Sequence, residues 1–185
     1  MNKAWQGIRG PAVCLTALLL STAAQATEAA HVHGLMRLDI AVERQSLTLQ
    51  LETPLDSLLG FERRPRTPAE RQAADALLRQ MGDATALFKP DAAAQCVLAT
   101  VTLESEALQS QAAGSAKAVG QESGHADLDA SYEFNCAHPE RLTAVEIRLF
   151  DAFQRLQKIE VQVAGAQGQS RQTLQRPDQR VKLVR

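Results

Sequence analysis

Two short segments of the chain combine histidine with other potential metal ligands. His31 and His33 stand two positions apart, and His125 stands two positions before Asp127. In an extended chain, residues two apart point to the same side, so each segment presents two donor groups together. Imidazole binds zinc, copper and nickel, and a carboxylate can complete a zinc site. These four residues are candidate metal ligands by their chemistry, but spacing alone favours a solvated arm of the chain, which is the usual role of a His-x-His segment near a new N-terminus.

The rest of the sequence offers little support for catalysis. It contains no G-x-S-x-G elbow, no Gly-rich phosphate loop, no H-E-x-x-H and no C-x-x-C. The remaining histidine, His138, stands beside Pro139 and is interpreted as a solvated turn residue. A zinc hydrolase would also need a general base near an open coordination position, and Glu43 or Glu62 could be nominated only arbitrarily. We therefore expect a protein that is not an enzyme.

The first 26 residues have the three parts of a cleavable signal peptide. Lys3 and Arg9 supply basic charge, residues 12–20 form an apolar run, and residues 24–26 read Ala-Gln-Ala, which suits the cleavage site. The apolar run is much shorter than the ~20 residues that span a bilayer, which argues against a membrane anchor. We expect export with cleavage after residue 26, and no insertion in the membrane.

Charge and cysteine content further restrict the environment. The formal net charge of −1 at pH 7 gives no electrostatic reason to expect nucleic acid as a partner. Cys14 lies in the predicted signal peptide, so Cys96 and Cys136 remain. An even number of cysteines in an oxidising compartment favours a disulfide, which would stabilise the fold by roughly 3 to 4 kcal/mol. Two buried free thiols are the alternative, and zinc thiolate ligands are less favoured.

Alternation of apolar and polar residues predicts strands with one buried face along most of the chain. The first two such segments, separated by a short polar turn, form a predicted hairpin. The expected fold class is α+β, mainly antiparallel β-sheet with one clear helix. The predicted strands cover, in chain order, residues 36–42, 47–51, 96–103, 128–136, 143–149, 159–163, 171–174 and 181–184.

One helix is predicted over residues 67–82. Thr67 can cap it, Pro68 suits the first helical position, and Glu70 completes a capping box. Gly82 can end the helix. Its apolar residues recur at helical spacing, so we expect one face of the helix to lie on the sheet.

A central segment divides the exported chain into two parts. Residues 104–124 are rich in Ser, Ala, Gly and Gln and have almost no large apolar side chain. Such a segment buries too little surface to offset its ordering entropy, so it is predicted to be a flexible linker. The linker separates β-rich halves at residues 27–103 and 125–185. Each half opens with a histidine-bearing segment before a hairpin, which hints at two similar halves.

Several short motifs also occur in a fixed order along the chain. Together they resemble the ZrgA family of zinc-regulated periplasmic zinc-binding proteins of Gram-negative bacteria. The resemblance extends from His31 to Leu183, which is nearly the whole exported chain. The motifs are His31-Val32-His33-Gly34, Thr53-Pro54, Leu59-Gly60-Phe61-Glu62, Leu87-Phe88 with Pro90, Tyr132-Glu133-Phe134-Asn135-Cys136, Leu149-Phe150 with Phe153, and Ile159-Glu160-Val161-Gln162.

The resemblance implies a periplasmic protein of zinc homeostasis with His31, His33, His125 and Asp127 as ligands of Zn²⁺. It further implies that the protein binds zinc and hands it on in support of high-affinity zinc uptake, with uptake components as partners. Family members commonly carry a His-rich tract in the central linker, whereas residues 104–124 contain no histidine. The alternative function is a β-rich envelope interaction module in which the histidines are incidental.

Overall fold

The computed structural model describes residues 32–109 and 126–184, so the predicted signal peptide lies outside the described residues. The α+β class with a mainly antiparallel sheet is confirmed. The strands are β1 (Leu35–Val42), β2 (Ser46–Pro54), β3 (Phe88–Pro90), β4 (Cys96–Glu104), β5 (Asp127–Cys136), β6 (Ala144–Ile147), β7 (Lys158–Gly165), β8 (Gly168–Gln175) and β9 (Arg180–Lys182). The α-helices are α1 (Asp56–Leu59), α2 (Pro68–Gly82), α3 (Ala84–Leu87), α4 (Glu106–Gln109) and α5 (Leu149–Ala152).

Six of these strands form a sheet in the order β4-β5-β2-β1-β7-β8. Its neighbouring strands are antiparallel except for β1 and β7, which are parallel. The predicted hairpin is confirmed as β1 and β2, with Val42 opposite Leu47. Because β1 and β5 both run antiparallel to β2, one on each side of it, both strands begin where β2 ends. We call this the proximal end of the sheet, and the opposite end the distal end.

The predicted alternation gives the sheet one buried and one polar face. On β1, Met36, Leu38 and Ile40 are at most 2% exposed, and the intervening Arg37 and Asp39 are exposed. Full burial of such side chains stabilises the fold by roughly 1.5 to 3 kcal/mol each. A slip of one residue would move them to the polar face, so burial fixes the register of the strands. The same core includes Leu47, Leu49 and Leu51 of β2, Leu128, Tyr132 and Phe134 of β5, and Ile159, Val161 and Val163 of β7.

Helix α2 covers part of the buried face. The predicted capping box is present, since Thr67 Oγ1 accepts the backbone N–H of Glu70 at 3.1 Å and Glu70 Oε2 accepts that of Thr67 at 3.1 Å. Leu77 and Met81 are buried, and the Tyr132 hydroxyl donates to the Met81 carbonyl oxygen at 3.0 Å. The helix is thereby joined to the centre of β5. Among the described residues, no helix is both long and apolar enough to cross a membrane.

A second sheet has the order β3-β6-β9. Strand β6 ends at Ile147, earlier than the alternation predicted, and α5 begins at Leu149. Leu149 and the next residue, Phe150, are both buried. The Phe153 N–H donates to the Leu149 carbonyl oxygen at 2.9 Å, so the chain forms a helical turn here and packs both side chains into the core.

The distal end of the six-stranded sheet carries the predicted disulfide. Cys96 and Cys136 lie opposite each other on β4 and β5, and their sulfur atoms are bonded. The disulfide prediction is therefore confirmed, and neither thiol is free to bind zinc. This bond fixes the two strands to each other where β4 begins and β5 ends.

Ordered structure continues into the first part of the segment predicted as a linker. Strand β4 extends to Glu104, and α4 follows over Glu106–Gln109. Ala107 and Leu108 are buried, so they supply apolar contacts that the composition of the segment as a whole did not suggest. Residues 110–124 of the predicted linker lie outside the described residues.

Candidate metal centre

His33 lies in a tight turn at the proximal end of the sheet, immediately before β1. Gly34 has φ 77°, a conformation that residues with a side chain rarely adopt. Its N–H donates to Ser57 Oγ at 2.9 Å, and its carbonyl oxygen accepts the N–H groups of Gln157 and Lys158 at 2.8 and 3.0 Å. A Cβ at Gly34 would lie 3.1 Å from Gln157 Cγ. The close approach and the unusual dihedral of Gly34 together fix the backbone that carries His33.

The His33 ring makes one short contact with a carboxylate. Its Nδ1 lies 2.5 Å from Oδ2 of Asp56, the first residue of α1. The His33 side chain is 65% exposed and the Asp56 side chain only 15%. The hydrogen bond to Asp56, followed by the charges of Asp56 and Glu62, raises the pKa of His33. The same hydrogen bond lowers the pKa of Asp56 against the opposing effect of its burial, and the positive charges of His33 and Arg155 add to this lowering. The carboxylate is therefore held in its ionised form.

Arg155 supports the Asp56 carboxylate from the other side. Its Nε donates to the backbone carbonyl oxygen of Asp56 at 2.9 Å, and its Nη2 lies 3.4 Å from Asp56 Oδ1. The guanidinium group packs over Gly60, where an added Cβ would lie 3.1 Å from Arg155 Cζ. Gly60 ends α1 with φ 84°. Both the conformation and the absent side chain at Gly60 thus allow Arg155 to reach Asp56.

Asp127 lies at the same end of the sheet, on the other side of β2. It is the first residue of β5 and pairs with Pro54, the last residue of β2. The carbonyl oxygen of Ala126 accepts the N–H of Leu55 at 2.8 Å, so this segment is attached to the residue before Asp56. Two strands that flank the same central strand are about 10 Å apart. The beginnings of β1 and β5, which flank β2, are separated by about this distance.

The structure describes the positions of two of the four predicted ligands. His33 and Asp127 are both at the proximal end, whereas His31 and His125 lie outside the described residues. Within residues 32–109 and 126–184, no group of three or more His, Cys, Asp or Glu side chains could hold a metal ion. The described residues alone therefore do not make a complete zinc site, and the four-ligand set stays a prediction.

His138 lies far from this region. It follows the ten-residue strand β5, so it is about 30 Å along the sheet from Asp127. Its Nδ1 is 3.5 Å from Oε1 of Glu140, and both side chains are well exposed. The location and exposure fit the interpretation of His138 as a turn residue.

The polar face near the proximal end is negatively charged. Glu52, Asp129 and Glu104 lie side by side on β2, β5 and β4. Burial, followed by the charges of Glu52, Asp127 and Glu104, raises the pKa of Asp129. Arg37 Nη1 lies 3.5 Å from Oε1 of Glu52 and offsets part of this negative charge. The remaining negative charge concentrates cations at this surface.

Sequence reasoning missed Asp56 and Arg155. Asp56 is 23 positions from His33, and Arg155 is 99 positions from Asp56. Spacing rules connect residues that share a strand or a helix, so they could not have joined these three. The only local signal is that Asp56 follows the Thr53-Pro54 motif at the end of a predicted strand.

The fold and the site together define an α+β protein with a carboxylate-bound histidine at one end of a mainly antiparallel sheet. The chain belongs to the ZrgA family of zinc uptake proteins, and the family model matches residues 30–183. The match covers both β-rich parts of the chain and the segment between them. No curated protein sequence matches the chain.

Proposed function

We propose that this protein binds a zinc ion at the proximal end of its sheet and hands it on within a zinc uptake system, without catalysing a reaction. Two segments would supply the ligands, residues 31–33 before β1 and residues 125–127 at the start of β5. The zinc ion is the cargo of the protein. Membership of a zinc uptake family supports this assignment of the metal.

The observation that carries the proposal is the order of the strands. The two predicted ligand segments are distant in sequence, yet β1 and β5 flank β2 and begin at the same end of the sheet. His33 is described at this end, and His125 is attached by one peptide bond to Ala126, which hydrogen-bonds to Leu55. Side chains that extend from both segments could meet at one ion. Three imidazoles and a carboxylate are a suitable tetrahedral set for zinc.

Two further features favour a periplasmic location. The Cys96–Cys136 disulfide is of the kind that persists in oxidising compartments. The first 26 residues have the composition of a signal peptide. In the periplasm, the acidic surface around Asp129 would attract cations toward the proximal end, and the expected recipients are components of the zinc uptake system.

Zinc titration of chelator-treated protein tests the proposal. A ligand that binds only the folded state raises its stability, by about 2.7 kcal/mol when its concentration is 100 times Kd. We expect heat of binding in calorimetry and a higher melting temperature at micromolar zinc, with magnesium as the control ion. Equal melting curves with and without zinc would contradict the proposal and favour an envelope interaction module.

A further inference from the structure

The contact between His33 and Asp56 restricts the chemistry of the imidazole. A neutral imidazole has one N–H donor and one nitrogen with a lone pair, and an ionised carboxylate can only accept. Since Asp56 Oδ2 lies 2.5 Å from Nδ1, the proton of the neutral ring must be on Nδ1. The lone pair that can bind a metal is then on Nε2. With 65% of the side chain exposed, the ring is open to an incoming ion.

The carboxylate that makes this contact is itself fixed in place. Asp56 is mostly buried, and Arg155 contacts both its backbone carbonyl oxygen and its Oδ1. The backbone of the histidine turn is fixed separately, through the hydrogen bond from the Gly34 N–H to Ser57. Asp56 and Ser57 are consecutive residues of α1, so one helical turn holds both the backbone and the ring of the His33 segment.

We propose that Asp56 is a positioning residue that keeps the proton on Nδ1 of His33 and thereby makes Nε2 the zinc-binding atom. This inference rests on the proposed function, because it assumes that His33 is a zinc ligand. A carboxylate behind a ligating histidine orients the ring and makes it more basic, and loss of such a partner typically weakens metal binding 10- to 100-fold. Arg155 completes a chain of three groups in which only the imidazole contacts the metal.

Nitrogen-15 NMR tests whether the proton of His33 is on Nδ1. The histidine rings are observed in metal-free protein, at a pH where imidazole is neutral. We expect His33 to carry its proton on Nδ1, and we expect added zinc to perturb mainly the Nε2 signal. A proton on Nε2, or zinc bound through Nδ1, would overturn the proposal. In the latter case Asp56 would itself be free to act as a ligand. This measurement needs no variant, so it does not depend on how well a variant folds.

Calorimetry with zinc ion tests the contribution of Asp56 to zinc binding through a matched pair of variants. Asp56→Asn should weaken zinc binding 10- to 100-fold. Glu140→Gln removes a carboxylate beside His138 at the distal end and should leave affinity unchanged. Equal affinity of Asp56→Asn and the parent would refute the role of Asp56 but leave the zinc site intact. If His33→Ala also kept full affinity, the assignment of His33 as a ligand would fail, whereas the proposed function fails only if the parent protein itself binds no zinc, so the failures are distinguishable.

Discussion

The two ends of the sheet each hold a histidine beside a carboxylate, and the two pairs differ in their distance and in the burial of the carboxylate. At the proximal end, His33 Nδ1 is 2.5 Å from Asp56, whose side chain is 15% exposed and is also contacted by Arg155. At the distal end, His138 Nδ1 is 3.5 Å from Glu140, whose side chain is 65% exposed. One pair is built into the fold and the other is a surface contact.

The comparison indicates what makes a histidine a useful ligand. Exposed ion pairs contribute about 0 to 1 kcal/mol, because water and side-chain entropy compete with them. The Glu140 contact therefore does little to orient His138. Asp56 is mostly buried and is also contacted by Arg155, so its carboxylate has little freedom to move. The imidazole of His33 is therefore oriented before any ligand arrives.

The largest expected effect is the loss of zinc binding in histidine variants. Replacing His31 and His33 together by alanine should abolish high-affinity binding, because two of the four predicted ligands are removed. His125→Ala should weaken binding strongly, whereas His138→Ala should not change it. Calorimetry of the purified variants measures all three. The comparison fails if His138→Ala removes binding or the double variant binds as the parent does.

The disulfide separates stability from zinc binding. Replacing Cys96 and Cys136 by alanine should lower the free energy of unfolding by about 3 to 4 kcal/mol, since the bond closes a loop with a sequence separation of 40. Zinc affinity of the folded variant should remain that of the parent, because the bond lies at the distal end. Denaturant unfolding and zinc calorimetry provide the two measurements. A loss of affinity in a fully folded variant would contradict the separation of the two ends.

Alanine substitutions at two glycines test the turn that carries His33, because they are expected to change the stability of the protein in opposite directions. Gly34→Ala should destabilise the protein by roughly 1 to 2 kcal/mol, because it forces a side chain into the left-handed region. It should also weaken zinc binding by shifting the turn that carries His33. Gly82→Ala, at the end of α2 where an added Cβ meets nothing within 4 Å, should stabilise the protein by about 0.5 to 1 kcal/mol. Thermal unfolding measures the change in stability of both variants. Equal changes would contradict the conclusion that Gly34 needs its left-handed conformation.

The smallest expected effect is a pH dependence of stability that arises from Glu70, a carboxylate outside both predicted zinc-binding segments. Glu70 accepts hydrogen bonds from the side chain of Arg63 and the backbone N–H groups of Arg66 and Thr67, which lower its pKa to about 2. Because the folded-state pKa is lower than the ordinary value of 4.5, these contacts stabilise the protein fully above pH 4.5. That contribution is lost as pH falls through about 2.

Urea unfolding of Glu70→Gln between pH 5 and pH 2 checks this expectation. The parent should lose stability more steeply than the variant as the carboxylate is protonated. Parallel curves for the two proteins would show that Glu70 does not carry the acid dependence.

Sequence reasoning succeeded where the signal is local. Alternation predicted the β1–β2 hairpin because successive side chains of a strand face opposite sides. The capping box of α2 was predictable because Thr67 and Glu70 lie within one helical turn. The paired cysteines were predictable from their number and from the expected compartment, which are properties of composition.

The candidate site was predictable only in part. His33 and Asp127 could be selected by residue type and spacing, and the fold places both at the proximal end. The sequence could not predict that β5 and β1 flank β2, because antiparallel pairing across a long connection leaves no periodic signal in the chain. That strand order is what brings the two ligand segments to one end of the sheet.

What the sequence determined by itself is which residues face the core, where the main helix begins, and which side chains have the chemistry to bind a metal. These follow from the period of two in strands, from hydrogen bonding within a helical turn, and from the donor atoms of histidine and aspartate. The tertiary structure alone decided that Asp56 meets His33 and that Arg155 meets Asp56. Contacts across 23 and 99 positions arise from packing, so the orientation of the imidazole is a property of the folded protein and not of the His-x-His motif.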